Sequence, residues 1–163
     1  MSVISTCDIC DEYPDLVRPL PPIFSDFGAV TAFHGPVRTV KCFEDNSKVK
    51  AVLATPGSGA VLMVDGGGSL RRSLVGGNVA ASAAANGWSG IIVYGAVRDR
   101  LELEVTEVGL KAMALIPVKT DKKDVGDIDI AIEIEHVAIA PGQYVYADQD
   151  GIIICPEALH EAA

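Results

Sequence analysis

The sequence is poor in positive charge and has no long apolar run. Its 163 residues include 13 Lys and Arg against 22 Asp and Glu, a net charge of −9 at pH 7. This balance argues against nucleic acid as a direct partner, because phosphate binding needs a basic surface. No apolar run approaches the ~20 residues of a membrane span, so we expect no membrane association. The start, MSVISTCDIC, lacks a basic region followed by an apolar stretch, so we expect no secretory signal and a cytoplasmic location.

Cysteine and histidine are also scarce. Cys7 and Cys10 form a C-x-x-C motif, but no second Cys or His pair with ligand spacing accompanies it, so we expect no zinc site. Without a secreted context, disulfides are not expected either. We interpret the motif as buried or incidental thiols in a first helix. His34 and His136 lie in no ligand pattern and are expected to have structural roles.

Strand and helix patterns alternate through the middle of the chain. Hydrophobic residues make up 49% of the sequence, enough for the core of a single domain spanning residues 1–163. Strands are predicted at residues 37–43, 60–64, 91–94 and 114–118, and helices near residue 6 and at residues 46–54, 79–86 and 104–112. This order predicts an α/β fold with parallel pairing in the middle section.

The last third of the chain is β-rich. Isoleucines alternate with polar or small residues through residues 128–135, with a period of two, and the phase slips at His136, which predicts a bulge or turn there. Further strands are predicted at residues 144–147 and 152–155, and a short final helix after Pro156. We therefore expect a mixed domain in which β-rich material surrounds an α/β middle.

Two glycine-rich segments could bind an anion. Gly66, Gly67 and Gly68 follow a predicted strand, but they lack the spacing of dinucleotide or P-loop motifs, and we interpret them as a tight turn. Gly76 and Gly77 precede an alanine-rich helix, whose free N–H groups suit a carboxylate or phosphate. A simple helix cap is the alternative.

Arg98 and Asp99 follow the predicted strand at residues 91–94. Sites in α/β folds lie at the carboxyl ends of parallel strands. There, Arg98 offers a fork for a carboxylate and Asp99 a hard oxygen ligand for a cation. Glu102 would share their face if the segment is helical. The alternative is a solvated cluster with an ordinary surface pair between Arg98 and Glu102. The charged run at residues 121–124 is interpreted as a solvated turn.

Five segments together carry a resemblance to a known family. They are VKCFEDN at residues 40–46, VDGGGS at 64–69, YGAVR at 94–98, AMALIPV at 112–118 and YADQDGIII at 146–154. From residue 7 to residue 156 the chain resembles the RraA-like family, which is named after regulators of ribonuclease activity and also contains metal-dependent 4-hydroxy-4-methyl-2-oxoglutarate aldolases. The resemblance implies a layered β/β/α domain of the swivelling type with a mixed sheet, assembled as a homotrimer.

The resemblance also implies a set of site residues. Aldolase members carry a glycine-led helix start, an Arg-Asp pair some twenty residues later and then an acid. This sequence matches with Gly77, Arg98, Asp99 and Glu102, whereas the founding regulators lack the Asp. Asp99 would then hold Mg²⁺ or Mn²⁺ with Glu102 as a more distant acid, and Arg98 would bind the substrate carboxylate. The pyruvyl end would be held by the backbone N–H groups of Gly76, Gly77, Asn78 and Val79.

The implied function is that of a lyase. Its substrate would be 4-hydroxy-4-methyl-2-oxoglutarate or a related 2-oxoacid, cleaved to pyruvate, with oxaloacetate decarboxylation alongside. Many aldolase members have an acid at the position of Gly77, and Glu102 is the candidate to replace it. An imine mechanism would need a lysine such as Lys41 in an apolar setting and is not favoured. The alternative is a protein-binding regulator that inhibits ribonuclease E, since an acidic chain suits a basic protein partner.

Overall fold

The computed structural model describes residues 4–160. The helices are α1 (Thr6–Glu12), α2 (Ser47–Leu53), α3 (Gly77–Ala85) and α4 (Arg100–Leu103). The strands are β1 (Arg18–Pro19), β2 (Ser25–Asp26), β3 (Phe33–Lys41), β4 (Val61–Asp65), β5 (Ser73–Val75), β6 (Gly90–Val97), β7 (Gly109–Leu115), β8 (Asp127–Ile128), β9 (Ile132–Ile134), β10 (Val137–Ile139), β11 (Tyr144–Asp148) and β12 (Gly151–Cys155). Within the described residues, no helix is long and apolar enough to cross a membrane.

Most of the strands form one mixed sheet in the order β1-β12-β11-β3-β4-β6-β7-β2. The strands β3, β4, β6 and β7 are parallel neighbours, and the short strand β5 also pairs parallel with β6. The strands at both ends pair antiparallel, β8 adds to β3, and β9 and β10 form a separate hairpin. The predicted mixed α/β arrangement with a parallel middle is confirmed.

The central strands β4 and β6 are buried on both faces along nearly their whole length, as their continuous apolar runs predict. On one face, residues such as Val64 pack against α2 and α3, where Ala83 is fully buried. On the other face, residues such as Met63 pack against the C-terminal strands, including Ile134. Helix α1 adds Ile9 to a smaller cluster with β11 and β12. These layers are the β/β/α arrangement that the resemblance implied.

Two helix predictions are wrong. Residues 104–112 contain the end of the α4 region, a turn and the start of β7. Val108, Leu110 and Ala112 enter one core at a period of two, and the ring of Phe33 fills the space where a side chain at Gly109 would begin, so the segment is extended. After Pro156, residues 156–160 form no helix, and residues 161–163 lie outside the described part of the chain.

The predicted strand at residues 128–135 is interrupted. Asp129 has a φ of 55°, and its carboxylate accepts two hydrogen bonds from the Arg38 guanidinium at 2.9 Å each. The segment therefore splits into β8 and β9. The predicted phase slip is confirmed, because Glu135 and His136 form a turn at positive φ between β9 and β10.

Candidate active site

The predicted site residues lie at the carboxyl ends of neighbouring strands. Strands β5 and β6 run parallel, with Val75 beside Val97, and β7 pairs with β6 as well. The segments after β5 and β6 therefore leave the sheet at the same edge, which brings Gly77 beside Asp99. The strand before Arg98 has a clear signal in the sequence, whereas β5, only three residues long, has none that we recognised.

Asp99 has an unusual backbone conformation. Its φ of 66° and ψ of 48° place it in the left-handed region immediately before α4, where residues other than glycine are uncommon and Asp and Asn are enriched. Its carboxylate Oδ2 accepts a hydrogen bond of 2.8 Å from the Gly77 N–H at the start of α3. A Cβ at Gly76 would come within 2.8 Å of the same oxygen. The absence of a side chain at Gly76 leaves room for the Asp99 carboxylate, and the left-handed backbone of Asp99 places that carboxylate at the start of α3.

Arg98 is fixed through its backbone and keeps part of its guanidinium accessible. Its N–H donates to the Val75 carbonyl at 3.0 Å, and Nη1 donates to the Pro117 carbonyl at 3.4 Å. Its Nε lies 3.9 Å from Asp99 Oδ2, and the side chain is 40% exposed. In the part of the chain that the structure describes, Arg98 forms no ion pair with Glu102, so the predicted surface pair is not what organises this cluster.

Glu102 lies directly against the start of α3. Its N–H donates to the Asp99 carbonyl at 3.0 Å, within the first turn of α4. A Cβ built at Gly77 would overlap Glu102 Oε2. The Glu102 carboxylate thus fills the space in which a side chain at position 77 would begin. Gly77 and Glu102 are complementary, and the absence of a side chain at one position makes room for the acid from the other.

The start of α3, Arg98 and Asp99 border a cavity of about 120 Å³, and Glu102 lies behind Gly77 and is not among the lining residues. Gly76, Gly77, Asn78, Val79, Arg98 and Asp99 all line it, as do six residues that the sequence analysis did not assign to a site: Asn46, Lys50, Ser73, Lys119, Thr120 and Lys122. The sequence held a signal for some of them, because Asn46 ends the family-like segment at residues 40–46, and Lys119 and Lys122 come just after the one at residues 112–118. These residues come together at the cavity only because β5 and β7 pair with β6, so their spacing in the sequence could not reveal the cluster.

The start of α3 contributes backbone donors to this cavity. The first N–H groups of a helix have no intrahelical acceptor, and the residues carrying two of them, Asn78 and Val79, line the cavity. The Gly77 N–H is already used by Asp99. Together with the positive end of the helix dipole, these donors suit a carboxylate or an oxo oxygen.

The residues present fit only one kind of metal site. Among the described residues, no three His, Cys, Asp or Glu side chains lie close enough together to hold a metal ion. Asp99 Oδ1 makes no hydrogen bond within residues 4–160, while Oδ2 is held by Gly77. One oriented carboxylate with a free oxygen fits a cation that keeps most of its waters, such as Mg²⁺ or Mn²⁺, and it does not fit a closed zinc site.

The other sequence candidates lie elsewhere. In the glycine loop, the N–H groups of Gly66 and Gly68 donate to the Tyr94 carbonyl and that of Gly67 to Asp65 Oδ1. These donors are used within the protein, as expected for a structural turn. Lys41 lines a separate, larger cavity and does not border the cavity at Asp99.

The C-x-x-C motif lies in α1, as predicted. A hydrogen bond with Asp150 and the charge of that residue raise the pKa of the Cys7 thiol, and burial raises that of Cys10. Both shifts favour the inert thiol over the reactive thiolate. His34 bonds through Nδ1 to the Tyr144 hydroxyl at 2.7 Å, an arrangement consistent with a structural role.

The fold and site define an α/β protein with a small polar cavity at the carboxyl ends of parallel strands. Residues 6–154 match the family model described as RraA-like, Aldolase/RraA, and the chain therefore belongs to the RraA-like family. A relative from Pseudomonas entomophila, named "Putative 4-hydroxy-4-methyl-2-oxoglutarate aldolase", is 52% identical over 94% of each chain.

Solved structures give the same fold with different names. The RNA-processing inhibitor RraA from Thermus thermophilis superposes with a TM-score of 0.94 at 43% identity, covering 99% of this chain and 98% of that one. A protein from Geobacillus kaustophilus, described as an S-adenosylmethionine: 2-dimethylmenaquinone methyltransferase, has a TM-score of 0.92 at 39% identity and coverage of 96% and 97%. The names disagree about activity, so the function has to be argued from the site.

Proposed function

We propose that this chain is a divalent-metal-dependent lyase. Its substrate is 4-hydroxy-4-methyl-2-oxoglutarate or a related 4-carboxy-4-hydroxy-2-oxoacid, which it cleaves to pyruvate, and it decarboxylates oxaloacetate as a side activity. The observation that carries the proposal is the position of the Asp99 carboxylate. The left-handed backbone of Asp99 and the hydrogen bond from Gly77 hold it at the start of α3, with Arg98 beside it. The name of the 52% identical relative supports the same reaction class.

The size of the cavity supports a small substrate. At about 120 Å³ it suits the pyruvyl part of an oxoacid, whereas sites for drug-sized ligands usually enclose ~300–1,000 Å³. A nucleoside-containing cofactor such as S-adenosylmethionine needs the larger size and would not fit the cavity at Asp99. The methyltransferase description of the Geobacillus relative therefore does not guide the assignment of this cavity.

Each site residue has a role in the proposed reaction. Arg98 binds the carboxylate next to the 2-oxo group through its forked donors, and the N–H groups of Asn78 and Val79 orient the pyruvyl end. Asp99 is the protein ligand for Mg²⁺ or Mn²⁺. When bound, the cation supplies electrophilic polarisation of the 2-oxo group, which stabilises the negative charge that develops as the carbon–carbon bond breaks.

Glu102 is the proposed partner for proton transfer. The aldol substrate must lose its 4-hydroxyl proton as the bond breaks, and the pyruvate fragment must gain one at carbon. Glu102 Oε2 lies where a Cβ at Gly77 would begin, and position 77 is where the family resemblance implies an acid. Replacing a general acid–base group costs ~10²–10⁴-fold in rate, so Glu102→Gln should lower kcat by about 100-fold with little change in KM.

The direct test is pyruvate release in the presence of Mg²⁺ or EDTA. Turnover of both substrates should require the metal. Asp99→Asn should lower kcat/KM by about 100-fold or more, because it removes the one carboxylate found among the described lining residues. Asp15→Asn is the matched control. Asp15 is exposed and does not line the cavity, so this variant should retain full activity. A folded protein no faster than free Mg²⁺ would refute the lyase proposal.

The active unit is proposed to be a homotrimer. Leu101 of α4 and Val105 just after it are 78% and 74% exposed, and large apolar side chains at such exposure are available for a second copy to cover. Both lie within a few residues of Asp99. Light scattering coupled to size exclusion should give three times the chain mass of 17.1 kDa, and a monomer would refute this part of the proposal.

A second candidate function is inhibition of ribonuclease E through a protein contact. The likeness to the Thermus RraA over nearly the whole chain favours it. The test is cleavage of a fluorescent RNA by ribonuclease E with increasing amounts of this protein. A true surface contact should inhibit equally in the wild-type protein and in Asp99→Asn, which separates regulation from the lyase site.

A further inference from the structure

Unpaired cations surround the cavity at Asp99. Lys50, Lys119 and Lys122 line it together with Arg98, and Asp99 is the only acid among the described lining residues. None of these three lysines forms an ion pair within residues 4–160. The cavity therefore carries an excess of positive charge in a chain whose net charge is −9. Cations gathered around a small cavity concentrate anionic ligands.

The segment that carries Lys119 and Lys122 is held in place from both sides. Thr120 is buried, and its hydroxyl donates to Asn46 Oδ1 at 2.8 Å. Arg72 Nη1 donates to the Lys119 carbonyl at 3.0 Å, and the Ser73 N–H donates to the Val118 carbonyl at 2.7 Å. These contacts fix the backbone from which both lysines extend toward solvent at the cavity.

Asp45 fixes the other end of the same segment. Its Oδ2 accepts hydrogen bonds from the N–H groups of Lys123 at 2.8 Å and Val125 at 3.2 Å. The side chains of residues 121–124 are exposed, as the predicted solvated turn requires, while Asp45 holds the backbone of the run. The hydrogen bonds of Asp45, Asn46 and Arg72 therefore position the backbone of this segment at the cavity.

We propose that Lys119 and Lys122 bind the second carboxylate of a dicarboxylate 2-oxoacid and so determine specificity for dianionic substrates. The inference rests on the proposed function, in which Arg98 and the start of α3 hold the first carboxylate and the 2-oxo group. A monocarboxylate bound there leaves the two lysines without a counter-charge, whereas a dicarboxylate neutralises them. Both lysines are specificity-determining residues and take no part in bond cleavage.

The test compares two unreactive ligands that differ in one carboxylate. 2-Oxoglutarate lacks the 4-hydroxyl group that retro-aldol cleavage requires, and 2-oxopentanoate replaces its distal carboxylate by a methyl group. Dissociation constants are measured by titration calorimetry with Mg²⁺ present, for the wild type, Lys119→Met, Lys122→Met and the double variant. Lys123→Met is the matched control, because it removes the same charge from the same segment but does not line the cavity.

The wild type should bind 2-oxoglutarate at least about 10-fold more tightly than 2-oxopentanoate. The double variant should lose this preference through weaker binding of 2-oxoglutarate alone, and Lys123→Met should retain it. The inference is overturned by an equal loss for both ligands, by an equal effect in Lys123→Met, or by no preference or no binding in the wild type.

The inference and the proposed function fail separately. Suppose that the lysine variants lose the preference for 2-oxoglutarate and that the wild type shows no aldol cleavage. The first result supports the dicarboxylate site, and the second refutes the lyase proposal. Cleavage by the wild type with an unchanged preference in the lysine variants refutes the lysine assignment and leaves the lyase proposal standing.

Discussion

A buried ion pair joins β2 to β7, and its contribution to the free energy of unfolding can be measured. Lys111 Nζ lies 3.1 Å from Asp26 Oδ1, and the side chains are 4% and 24% exposed. The two residues are register partners. Asp26 Oδ1 is buried and has no well-aligned hydrogen bond among the described residues, so charge attraction is its main compensation. Asp26→Asn removes that charge with almost no change in volume.

The expected cost follows from the burial of the lysine. Breaking a buried pair by neutralising one partner costs ~3–5 kcal/mol, because the remaining charge is left uncompensated. Asp26 is partly exposed, and water there screens the pair, so we expect about 3 kcal/mol for Asp26→Asn. For a chain of this length, this lowers the Tm by roughly 6–12 °C. Lys111→Met should cost less, about 1–2 kcal/mol, because the remaining Asp26 carboxylate can be hydrated.

The assay is a double-mutant cycle in urea. Trp88 is the only tryptophan and is buried, so its fluorescence reports unfolding. The variant with both Asp26→Asn and Lys111→Met should be more stable than the sum of the single effects predicts, by about 1–2 kcal/mol. Additive effects within ~0.5 kcal/mol, or a cost below ~1 kcal/mol for Asp26→Asn, would show that the pair is not coupled.

Two further predictions concern Asp99 and Asp45. Asp99→Ala should lower stability by about 1–2 kcal/mol, because alanine is strained at a φ of 66°, whereas Asp99→Asn should stay near the wild type in thermal unfolding; equal losses would contradict this. Burial opposes the charge of Asp45, but hydrogen bonds from Ser47, Lys123 and Val125 lower its pKa to about 2. Its stabilisation is therefore present above its unfolded-state pKa of ~3.9 and is lost as the pH falls toward 2, and Asp45→Asn should flatten the acid limb of the unfolding midpoint measured by Trp88 fluorescence.

The elements that sequence reasoning predicted correctly have strong local signals. The apolar runs of β4 and β6 and the alanine-rich α3 need no tertiary information, because their burial follows from composition. The errors fall where distant contacts decide. β7 carries Lys111 in a buried strand, and this is explained only by Asp26, which lies far away in the sequence.

The residues of the candidate site also fall into two groups: those with a local sequence signal and those whose role depends on distant contacts. Arg98 and Asp99 could be predicted, because a strand end followed by Arg-Asp is visible in the sequence. The role of the 121–124 run could not, because its charges look like those of a solvated turn. Only the fold reveals that the buried Asp45 accepts hydrogen bonds from the N–H of Lys123 in this run and from that of Val125 just after it.

The anchoring at Asp45 also explains how an acidic chain can present a basic cavity. Asp45 holds the lysine segment through backbone N–H groups, so its negative charge is stabilised by hydrogen bonds without pairing to a lysine side chain. Lys119 and Lys122 remain available at the cavity. If an acid paired directly with these lysines, it would consume the charge that an anionic ligand needs. The backbone of the segment is thus positioned by Asp45, and the lysine side chains are left to bind the ligand. The comparison of the two ligands in the Lys119, Lys122 and Lys123 variants measures this binding.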